Sequence, residues 1–541
     1  MAFSLPLISA TVLLWVLWKV FRNYVVSSPL DNIPGPPRSS FWSGDSAIMY
    51  QRHGWSFHDN ISEKYGPVST THTLLGARGL YVYDPKALNS IMITDQDSYE
   101  EPAWLLQSSH AIFGPAVFIA QGEQHRRQRR VLNPVFSGAH MRHMAPVFYD
   151  VAHRLREAVS AQIHDPASSE IDVLEWTSRA ALELIGQGGL GCSLDPLVAD
   201  SNNDFGTALK TLIPLISGLH FYRMLMPYIT PFVPLSVRRL FMRWVPHKNA
   251  QQLRAATEDL WALSRQIYEE KLAAVAKGDN DEVFEGQDLI SILVRSNTAA
   301  AAEDRLPEEE IIAQVAGLIL AATDTTSSAL ARILHILAER QDIQDKVRAE
   351  LVEAAGEGED IPYDQLVNLP WLDAICRETM RLQVPSVMTI YAVLKARTDV
   401  IMPLSEPVQG RDGTLIHEIA VPKGTLVTIS VRGCNRNKAI WGEDALEWKP
   451  ERWLKSLPET VSGAHIPGVY AHLMTFIGGA RACLGFRFAQ LEMKVVLAVM
   501  LRSFRFQLSD KEVYWNFAGV VFPSIGRDGK TASMPMKIET L

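Results

Sequence analysis

One apolar helix pattern near the middle of the chain constrains the fold more than any other feature. Pro307 stands directly ahead of Glu308, Glu309 and Glu310, and acidic side chains are favoured at the positive end of a helix dipole. The pattern continues to about Arg340, so the helix should be roughly 50 Å long. No residue from Val315 to Thr323 is charged. The sequence therefore predicts a long helix whose middle is buried.

The segment Asp324 to Ser328 comes directly after this uncharged stretch. All five of its residues compete with helical hydrogen bonding through their own side chains. We therefore expect the helix to be locally opened here. A carboxyl beside a hydroxyl in an apolar wall is costly unless it is used. On this segment alone, Asp324 has either a functional role or a structural role as a cap or ion-pair partner.

The bulk composition excludes some classes of protein. The chain has 541 residues, of which 47% are hydrophobic, and this is an ordinary globular composition. A formal net charge of −8 gives no support for nucleic-acid binding. The four cysteines, Cys192, Cys376, Cys434 and Cys483, are widely spaced and form no CxxC pair. They indicate neither a disulfide framework nor a zinc site.

The first residues differ from the rest of the chain. No residue from Ala2 to Trp18 is charged, and Lys19 and Arg22 come after this apolar run. Its length is about the minimum for a membrane-spanning helix, and the basic flank favours a cytoplasmic position for the remainder of the chain. We predict a membrane anchor over residues 1–22. A cleaved signal peptide and an N-terminal core helix are the alternatives.

Four prolines, Pro29, Pro34, Pro36 and Pro37, then predict a stiff hinge over residues 23–37. One large domain over residues 38–541 is expected after it, since no second linker divides this part of the chain. Its patterns predict mainly helices, over 141–163, 174–190, 249–277 and 484–504, with small β elements. A hairpin is predicted around Gly76 and Gly79, and two strands around the turn at 422–424.

Cys483 lies in the stretch "FIGGARACLG", Phe476 to Gly485. The glycines allow a sharp turn and a close approach to a large group, and a helix predicted right after Cys483 would favour a thiolate. Arg481 suits a carboxylate on a bound group, and Phe476 suits a flat ring. A catalytic cysteine and an ordinary buried cysteine remain alternatives, but together these flanks favour a thiolate that binds haem iron.

This stretch resembles the cytochrome P-450 signature Phe-x-x-Gly-x-Arg-x-Cys-x-Gly, at Phe476, Gly479, Arg481, Cys483 and Gly485. The resemblance extends over essentially the whole chain. The motif "ETMR" is similar to the family's Glu-x-x-Arg at Glu378 and Arg381, and "PERW" supplies Arg452. "AATDTT", residues 321–326, resembles the oxygen-activation motif of the family's central helix.

The resemblance implies a mainly α fold with small β-sheets, in which a long central helix lies over haem b. Its implied cofactor-binding residues are Cys483 as axial thiolate and metal ligand, Arg481, Phe476, Gly479, His125 and Arg129. His125 stands where many members have a tryptophan, four residues before the arginine that Arg129 matches, and Asn435 stands where many members have a histidine. Glu378, Arg381 and Arg452 would form a structural triad.

The resemblance also implies monooxygenation, in which one oxygen atom of O₂ enters a lipophilic substrate such as a terpenoid or polycyclic aromatic. Asp324 would feed protons inward, and Thr325 would hold a water molecule or the reacting oxygen species. The acid–alcohol pair favours this chemistry over a haem-thiolate isomerase or dehydratase that acts on peroxides without a reductase. A xenobiotic-oxidising enzyme of broad specificity is a further alternative.

The implied partners are an NADPH-cytochrome reductase and a membrane, with the catalytic domain on the cytoplasmic side of the endoplasmic reticulum. Arg126, Arg127 and Arg130 are predicted to face outward and to dock the reductase. The implied pocket-lining regions, mostly apolar, are 104–119, 205–232, 315–325, 387–390 and 517–522. The apolar stretch Met226 to Leu235 is predicted to dip into the membrane. The overall style resembles fungal members of secondary metabolism.

Overall fold

The computed structural model describes residues 14, 17, 18, 20–163, 169–198, 204–234, 237, 238, 240, 243–277, 288–299, 305–382, 391–518 and 520–541. It is mainly helical with small sheets, as predicted. The described helices are α1 (Ser46–Met49), α2 (Trp55–Tyr65), α3 (Pro85–Asn89), α4 (Ala103–Phe113), α5 (Gly122–Leu132), α6 (Gly138–Gln162), α7 (Val173–Leu184), α8 (Asp204–Gly218), α9 (His220–Ile229), α10 (Lys248–Lys277), α11 (Leu289–Ala299), α12 (Glu308–Glu339), α13 (Gln341–Ala355), α14 (Tyr363–Leu366), α15 (Pro370–Leu382), α16 (Val431–Asn435), α17 (Lys438–Trp441), α18 (Glu459–Ser462) and α19 (Phe486–Ser503).

The described strands are β1 (Val68–His72), β2 (Arg78–Val82), β3 (Tyr99–Glu100), β4 (Ser169–Asp172), β5 (Tyr391–Ala396), β6 (Val400–Gln409), β7 (Leu415–Val421), β8 (Leu426–Ser430), β9 (Phe504–Leu508), β10 (Val513–Ala518), β11 (Val520–Ile525) and β12 (Pro535–Thr540). The largest sheet has the order β1-β2-β8-β5-β3, and only the β2–β8 pair within it is parallel. Smaller antiparallel sheets have the orders β4-β12-β9, β6-β7 and β10-β11.

The chain divides into two compact units. The first contains residues 1–102, 388–446 and 458–482, and the second contains residues 103–387, 447–457 and 483–541. The five-stranded sheet and the β6–β7 pair belong to the first unit. The long helices α6, α10, α12 and α19 belong to the second unit, together with the β4-β12-β9 and β10-β11 sheets.

Most of the predicted elements are confirmed. The hairpin is present as β1 and β2, with Val68 opposite Val82 and a left-handed turn residue at Gly76 (φ 70°). The strands on either side of the turn at 422–424 are β7 and β8. They do not pair with each other, because β7 joins β6 whereas β8 lies between β2 and β5. The predicted helices correspond to α6, α7, α10 and α19.

The predicted long helix is α12, and acidic residues occupy its first turn as expected. The predicted opening in its middle is wrong, because α12 is continuous from Glu308 to Glu339. Two hydroxyls explain the difference: Thr323 donates to the carbonyl oxygen of Ile319 and Thr325 to that of Ala321, each over 2.7 Å. These side chains bond to carbonyls one turn earlier, so they do not displace the helical hydrogen bonds.

Several predictions fall outside the described residues. They include most of the apolar run of the anchor (1–13, 15, 16 and 19) and the pocket-lining segment 387–390. Within the part of the chain that the structure describes, no helix is both long enough and apolar enough to cross a membrane.

Candidate haem-binding and proton-delivery residues

Cys483 precedes α19 in the second unit, and Gly485 is the N-terminal cap residue of that helix. The cysteine is exposed, although dense protein around it desolvates the sulfur and raises the pKa of the thiol. The N–H of Gly485 and the charge of Arg129 act in the opposite direction. The sequence analysis expected the helix to favour a thiolate. The structure contains that contribution, but desolvation of the sulfur outweighs it.

Gly479 and Arg481, two signature residues that belong to the first unit, have well-defined local roles. Gly479 has a φ of 66°, and a Cβ there would lie only 1.9 Å from the carbonyl oxygen of Met92. Only glycine fits this position. The Arg481 guanidinium forms a two-point ion pair with Glu101, over 2.9 and 3.1 Å. Arg481 is therefore suited to bind a carboxylate, but the carboxylate it contacts here belongs to the chain itself.

Phe476 contacts the ring of Tyr470 edge to face, with 5.5 Å between ring centroids.

Asn435, which stands where many family members have a histidine, is fully buried. It donates to Thr475 Oγ1 over 2.8 Å and accepts from the N–H of Met474 over 2.9 Å. Its role is to hold the segment ahead of Phe476.

The helix α5 presents three different faces. His125 is buried and Arg129 is half-buried, one turn apart on one face. Arg126 and Arg130 are exposed on a second face, and Arg126 pairs with Glu123 over 3.1 Å. The prediction that Arg127 faces outward is wrong. It lies on the third face and donates to Glu310 of α12 over 2.8 Å, because Glu310 offers a buried carboxylate there.

Asp324 is buried in the middle of α12, and its Oδ2 atom has no hydrogen-bond partner among the described residues. Burial raises the pKa of this carboxyl to about 7, and the positive charge of Lys210 opposes the rise. The adjacent Thr325 is half-buried and donates its hydroxyl hydrogen to Ala321. The pair therefore combines a carboxyl that titrates near neutral pH with a hydroxyl oxygen that can still accept hydrogen bonds.

Glu378, Arg381 and Arg452 lie together in the second unit. Arg381 contacts both carboxylate oxygens of Glu378 over 2.9 Å, and Arg452 Nε donates to Oε1 over 3.0 Å. Trp453 and the backbone N–H of Lys449 add two further donors, each over 2.9 Å. Burial raises the pKa of Glu378, but the hydrogen bonds and the two arginine charges outweigh it, and the pKa is lowered.

The sequence analysis missed two buried glutamates of the second unit. Glu310 accepts hydrogen bonds from three side chains of α5. The signal for it in the sequence is its position directly before the apolar run of α12, which is buried continuously from Glu310 to Gly317. Glu492 of α19 is fully buried, and neither of its carboxylate oxygens has a hydrogen-bond partner within the described ranges. Burial raises its pKa well above the ordinary value.

Cys483 and its surroundings fit a haem iron better than other metal centres. Cys483 is an exposed thiol under the influence of a nearby arginine. Zinc and iron–sulfur sites need several such ligands, whereas haem iron needs a single protein thiolate. No group of three or more histidine, cysteine or acidic side chains with metal-binding geometry occurs in the described segments.

Comparison with known proteins agrees with this assignment. The sequence profile of the cytochrome P-450 family matches residues 34–525. Cytochrome P-450 monooxygenase 91 of Postia placenta is 49% identical over 97% of both chains. The ganoderic acid synthetase of Ganoderma lucidum is 42% identical over 99% of both chains. A monooxygenase of this family from Hericium erinaceus is 36% identical over 98% of this chain and 97% of its own.

The chain therefore belongs to the cytochrome P-450 family, whose members bind haem through an axial cysteine thiolate. The protein is an oxidoreductase of the monooxygenase class, and the relatives described above are fungal enzymes.

Proposed function

We propose that this protein inserts one oxygen atom of O₂ into a lipophilic terpenoid or polycyclic aromatic compound of fungal secondary metabolism. The electrons come from an NADPH-dependent cytochrome reductase. The observation that carries this proposal is the acid–alcohol pair Asp324–Thr325 on α12. Monooxygenation consumes protons, so it needs an acid that exchanges protons near neutral pH. Asp324 meets this need, because burial raises the pKa of its carboxyl to about 7.

Haem, when bound, supplies the reductive activation of O₂, and the chain supplies its ligand and its anchors. Cys483 would supply the thiolate that binds the iron, and metal coordination would keep it deprotonated despite the desolvation that raises the pKa of the thiol. His125, Arg129 and Arg481 would hold the propionates, Phe476 would pack against the ring, and Gly479 shapes the loop. Arg481 would bind a propionate either with donors that Glu101 does not use or in place of Glu101.

Proton delivery is the task of Asp324 and Thr325. Asp324 takes protons from solvent and passes them inward, since its uncompensated Oδ2 can carry a proton at neutral pH. The Thr325 oxygen accepts a hydrogen bond from a water molecule while its own hydrogen is held by Ala321. This arrangement would orient one water molecule for proton transfer.

The lipophilic substrate class is supported by composition and by one relative. The described parts of the predicted pocket-lining regions are mostly apolar, as in Val315 to Leu320 of α12 and the buried Phe517 of β10. Apolar linings of this kind suit compounds with few polar groups. The relative named as a ganoderic acid synthetase places a homologue of similar length in fungal secondary metabolism.

Membrane association is part of the proposal. Residues 1–22 form the anchor, and the catalytic domain lies on the cytoplasmic side of the endoplasmic reticulum. A second contact is made by an exposed apolar surface on and after α9. It comprises Phe221, Tyr222, Leu225, Tyr228, Ile229 and Phe232. Phe232 is 84% exposed, which is unusual for phenylalanine in a water-facing position.

The reductase docks on the exposed face of α5 formed by Arg126 and Arg130. Arg127 is excluded from this surface by its ion pair with Glu310. Charge complementarity with an acidic reductase mainly raises the rate of encounter. The docking face therefore contributes to electron delivery rather than to chemistry.

Reconstitution tests the proposal. The full chain is combined with lipid vesicles, an NADPH-cytochrome reductase and a panel of terpenes and aromatic compounds, and NADPH consumption and oxygenated products are measured. We expect reductase-dependent product from at least one lipophilic compound. Product formation without NADPH would instead favour an isomerase or dehydratase.

Two sets of variants locate the haem ligand and the docking face. Cys483→Ser should lose the carbon monoxide spectrum typical of thiolate-bound haem, whereas Cys192→Ser should keep it. Arg126→Glu with Arg130→Glu should keep that spectrum but slow reduction at low salt, and added salt should reduce the difference. A normal spectrum in Cys483→Ser would exclude this cysteine as the ligand.

A further inference from the structure

The buried carboxylate of Glu310 joins the first turn of α12 to one face of α5. Gln124 and Arg127 donate to Glu310 Oε1 over 2.9 and 2.8 Å, and Gln128 donates to Oε2 over 2.8 Å. Only 7% of the Glu310 side chain is exposed. Three donors from a single helix therefore converge on one carboxylate that water hardly reaches.

The residues around Glu310 form hydrogen bonds of their own. Gln314, one turn later on α12, donates to the carbonyl oxygen of Glu310 over 3.0 Å and accepts from the N–H of Val117 over 3.0 Å. Gln128 also donates to the carbonyl oxygen of Pro115 over 2.8 Å. These bonds tie the segment ahead of α5 to the same turn of α12. Glu310 therefore sits in a network that leaves it little freedom to move.

The three donors occupy one face of α5 because positions i, i+3 and i+4 are neighbours on a helix. At about 100° per residue, His125 and Arg129 lie roughly 130° around the helix from this face. A rotation of α5 about its axis would break the bonds to Glu310 and turn His125 and Arg129 by the same angle.

We infer that Glu310 is a positioning residue for haem, which fixes the rotation of α5 and thereby directs His125 and Arg129 towards the propionates. This inference rests on the propionate role that we propose for these two side chains. Glu310 itself need not contact the haem, since it acts through the helix. A charge-assisted hydrogen bond is stronger than a neutral one, so the Arg127–Glu310 contact should contribute most.

Haem release tests this role without measuring turnover. Release from the holoprotein to excess apomyoglobin is followed in wild type, in Glu310→Gln and in the double variant His125→Ala, Arg129→Ala. Glutamine keeps the size of the side chain but removes its charge. We expect Glu310→Gln to release haem roughly tenfold faster, since part of a charge-assisted bond is lost.

Two matched controls separate positioning from general destabilisation. Glu309→Gln removes the same charge from the same turn of α12, but Glu309 is exposed, so release should stay at the wild-type rate. Arg179→Gln breaks a buried ion pair with Asp195 elsewhere in the second unit. It should lower the unfolding temperature without a matching increase in haem release. If Glu310→Gln does not fold, Arg127→Met breaks the same contact from α5 and should also speed release.

The triple variant is decisive. If Glu310 acts through His125 and Arg129, adding Glu310→Gln to the double variant should not speed release further. An additional tenfold increase would overturn the inference and assign Glu310 a purely structural role. An unchanged release rate in Glu310→Gln would also overturn it. An unchanged rate in the double variant alone would instead remove His125 and Arg129 as propionate ligands, which is a failure of the proposed function.

Discussion

Two buried carboxyl groups of the second unit have opposite surroundings. Glu378 accepts hydrogen bonds from Arg381, Arg452, Trp453 and the N–H of Lys449, and these partners lower its pKa despite burial. Asp324 has an Oδ2 atom without a partner among the described residues, and burial raises the pKa of its carboxyl to about 7. Both are buried, so burial alone does not decide what a carboxyl does.

The difference between these sites lies in their donors. A carboxylate that is surrounded by donors keeps a fixed charge and holds segments together. A buried carboxyl without such partners is destabilised in its charged form and exchanges a proton near neutral pH. The first arrangement suits the structural role predicted for Glu378, and the second suits the proton-transfer role proposed for Asp324. Variants of each carboxyl test this contrast.

The largest effect is expected on stability, from Glu378→Gln. Loss of the charge leaves the buried Arg381 and the partly buried Arg452 without their carboxylate, and breaking a buried pair of this kind costs about 3–5 kcal/mol. The free energy of unfolding, measured by urea denaturation of the holoprotein, should fall by about this amount. Asp324→Asn serves as the comparison and should not lower the free energy of unfolding at neutral pH, because it removes a carboxyl whose charged form is destabilised by burial. Equal losses in both variants would show that the two carboxyls have the same role.

Turnover should show the reverse order. Asp324→Asn removes the acid that exchanges protons, so product formation should slow by roughly 10²-fold. Haem content, the carbon monoxide spectrum and the rate of reduction should stay as in wild type. Glu309→Gln, an exposed acid on the same helix, is the control. A wild-type rate of product formation in Asp324→Asn would exclude the proton-transfer role.

Asp324 and Glu378 should change the free energy of unfolding in opposite directions as pH rises. The folded-state pKa of Asp324 is raised from 3.8 to about 7, so its protonated form stabilises the fold below about pH 4 and that contribution is lost as pH rises to about 7. The pKa of Glu378 is lowered below 4.5, so its contribution is present above this pH and is lost on acidification.

The free energy of unfolding of wild type and Asp324→Asn is therefore compared between about pH 4.5 and 7.5. The difference between them should change by up to about 1.4 kcal/mol per pH unit, and the asparagine variant should gain on wild type as pH rises. A constant difference across this range would mean that the pKa of Asp324 is not raised.

The smallest effect is expected from Thr325→Ala. The variant should bind haem and accept electrons normally, but roughly threefold to tenfold more of the NADPH consumed should appear as hydrogen peroxide, because the water at this position is poorly held. The ratio of product to NADPH measures this loss. Thr325→Ser keeps the hydroxyl and should restore most of the coupling. Normal coupling in the alanine variant would exclude Thr325 from proton delivery.

The positions of the key motifs were predictable because their constraints are local. The acidic first turn of α12, the left-handed Gly479 and the i, i+3 pair Glu378–Arg381 all result from short-range sequence rules. The continuity of α12 was not predictable in this way. The propensities of Asp324 and its neighbours disfavour a helix, but burial among neighbouring helices and the bonds from Thr323 and Thr325 to the preceding turn outweigh them.

The sequence by itself determined the family, the nature of the metal ligand and the order of the helices, because these depend on residue identity and spacing. Only the tertiary structure decided which charged groups have ion-pair or hydrogen-bond partners. Arg127 and Arg130 are the same residue type on the same helix, yet Arg127 reaches the buried Glu310 and Arg130 faces solvent. Asp324 and Glu378 are both buried carboxyls, yet only Glu378 is surrounded by hydrogen-bond donors. The pKa of a carboxyl is set by the donors that other segments bring to it, and spacing along one helix does not specify those donors.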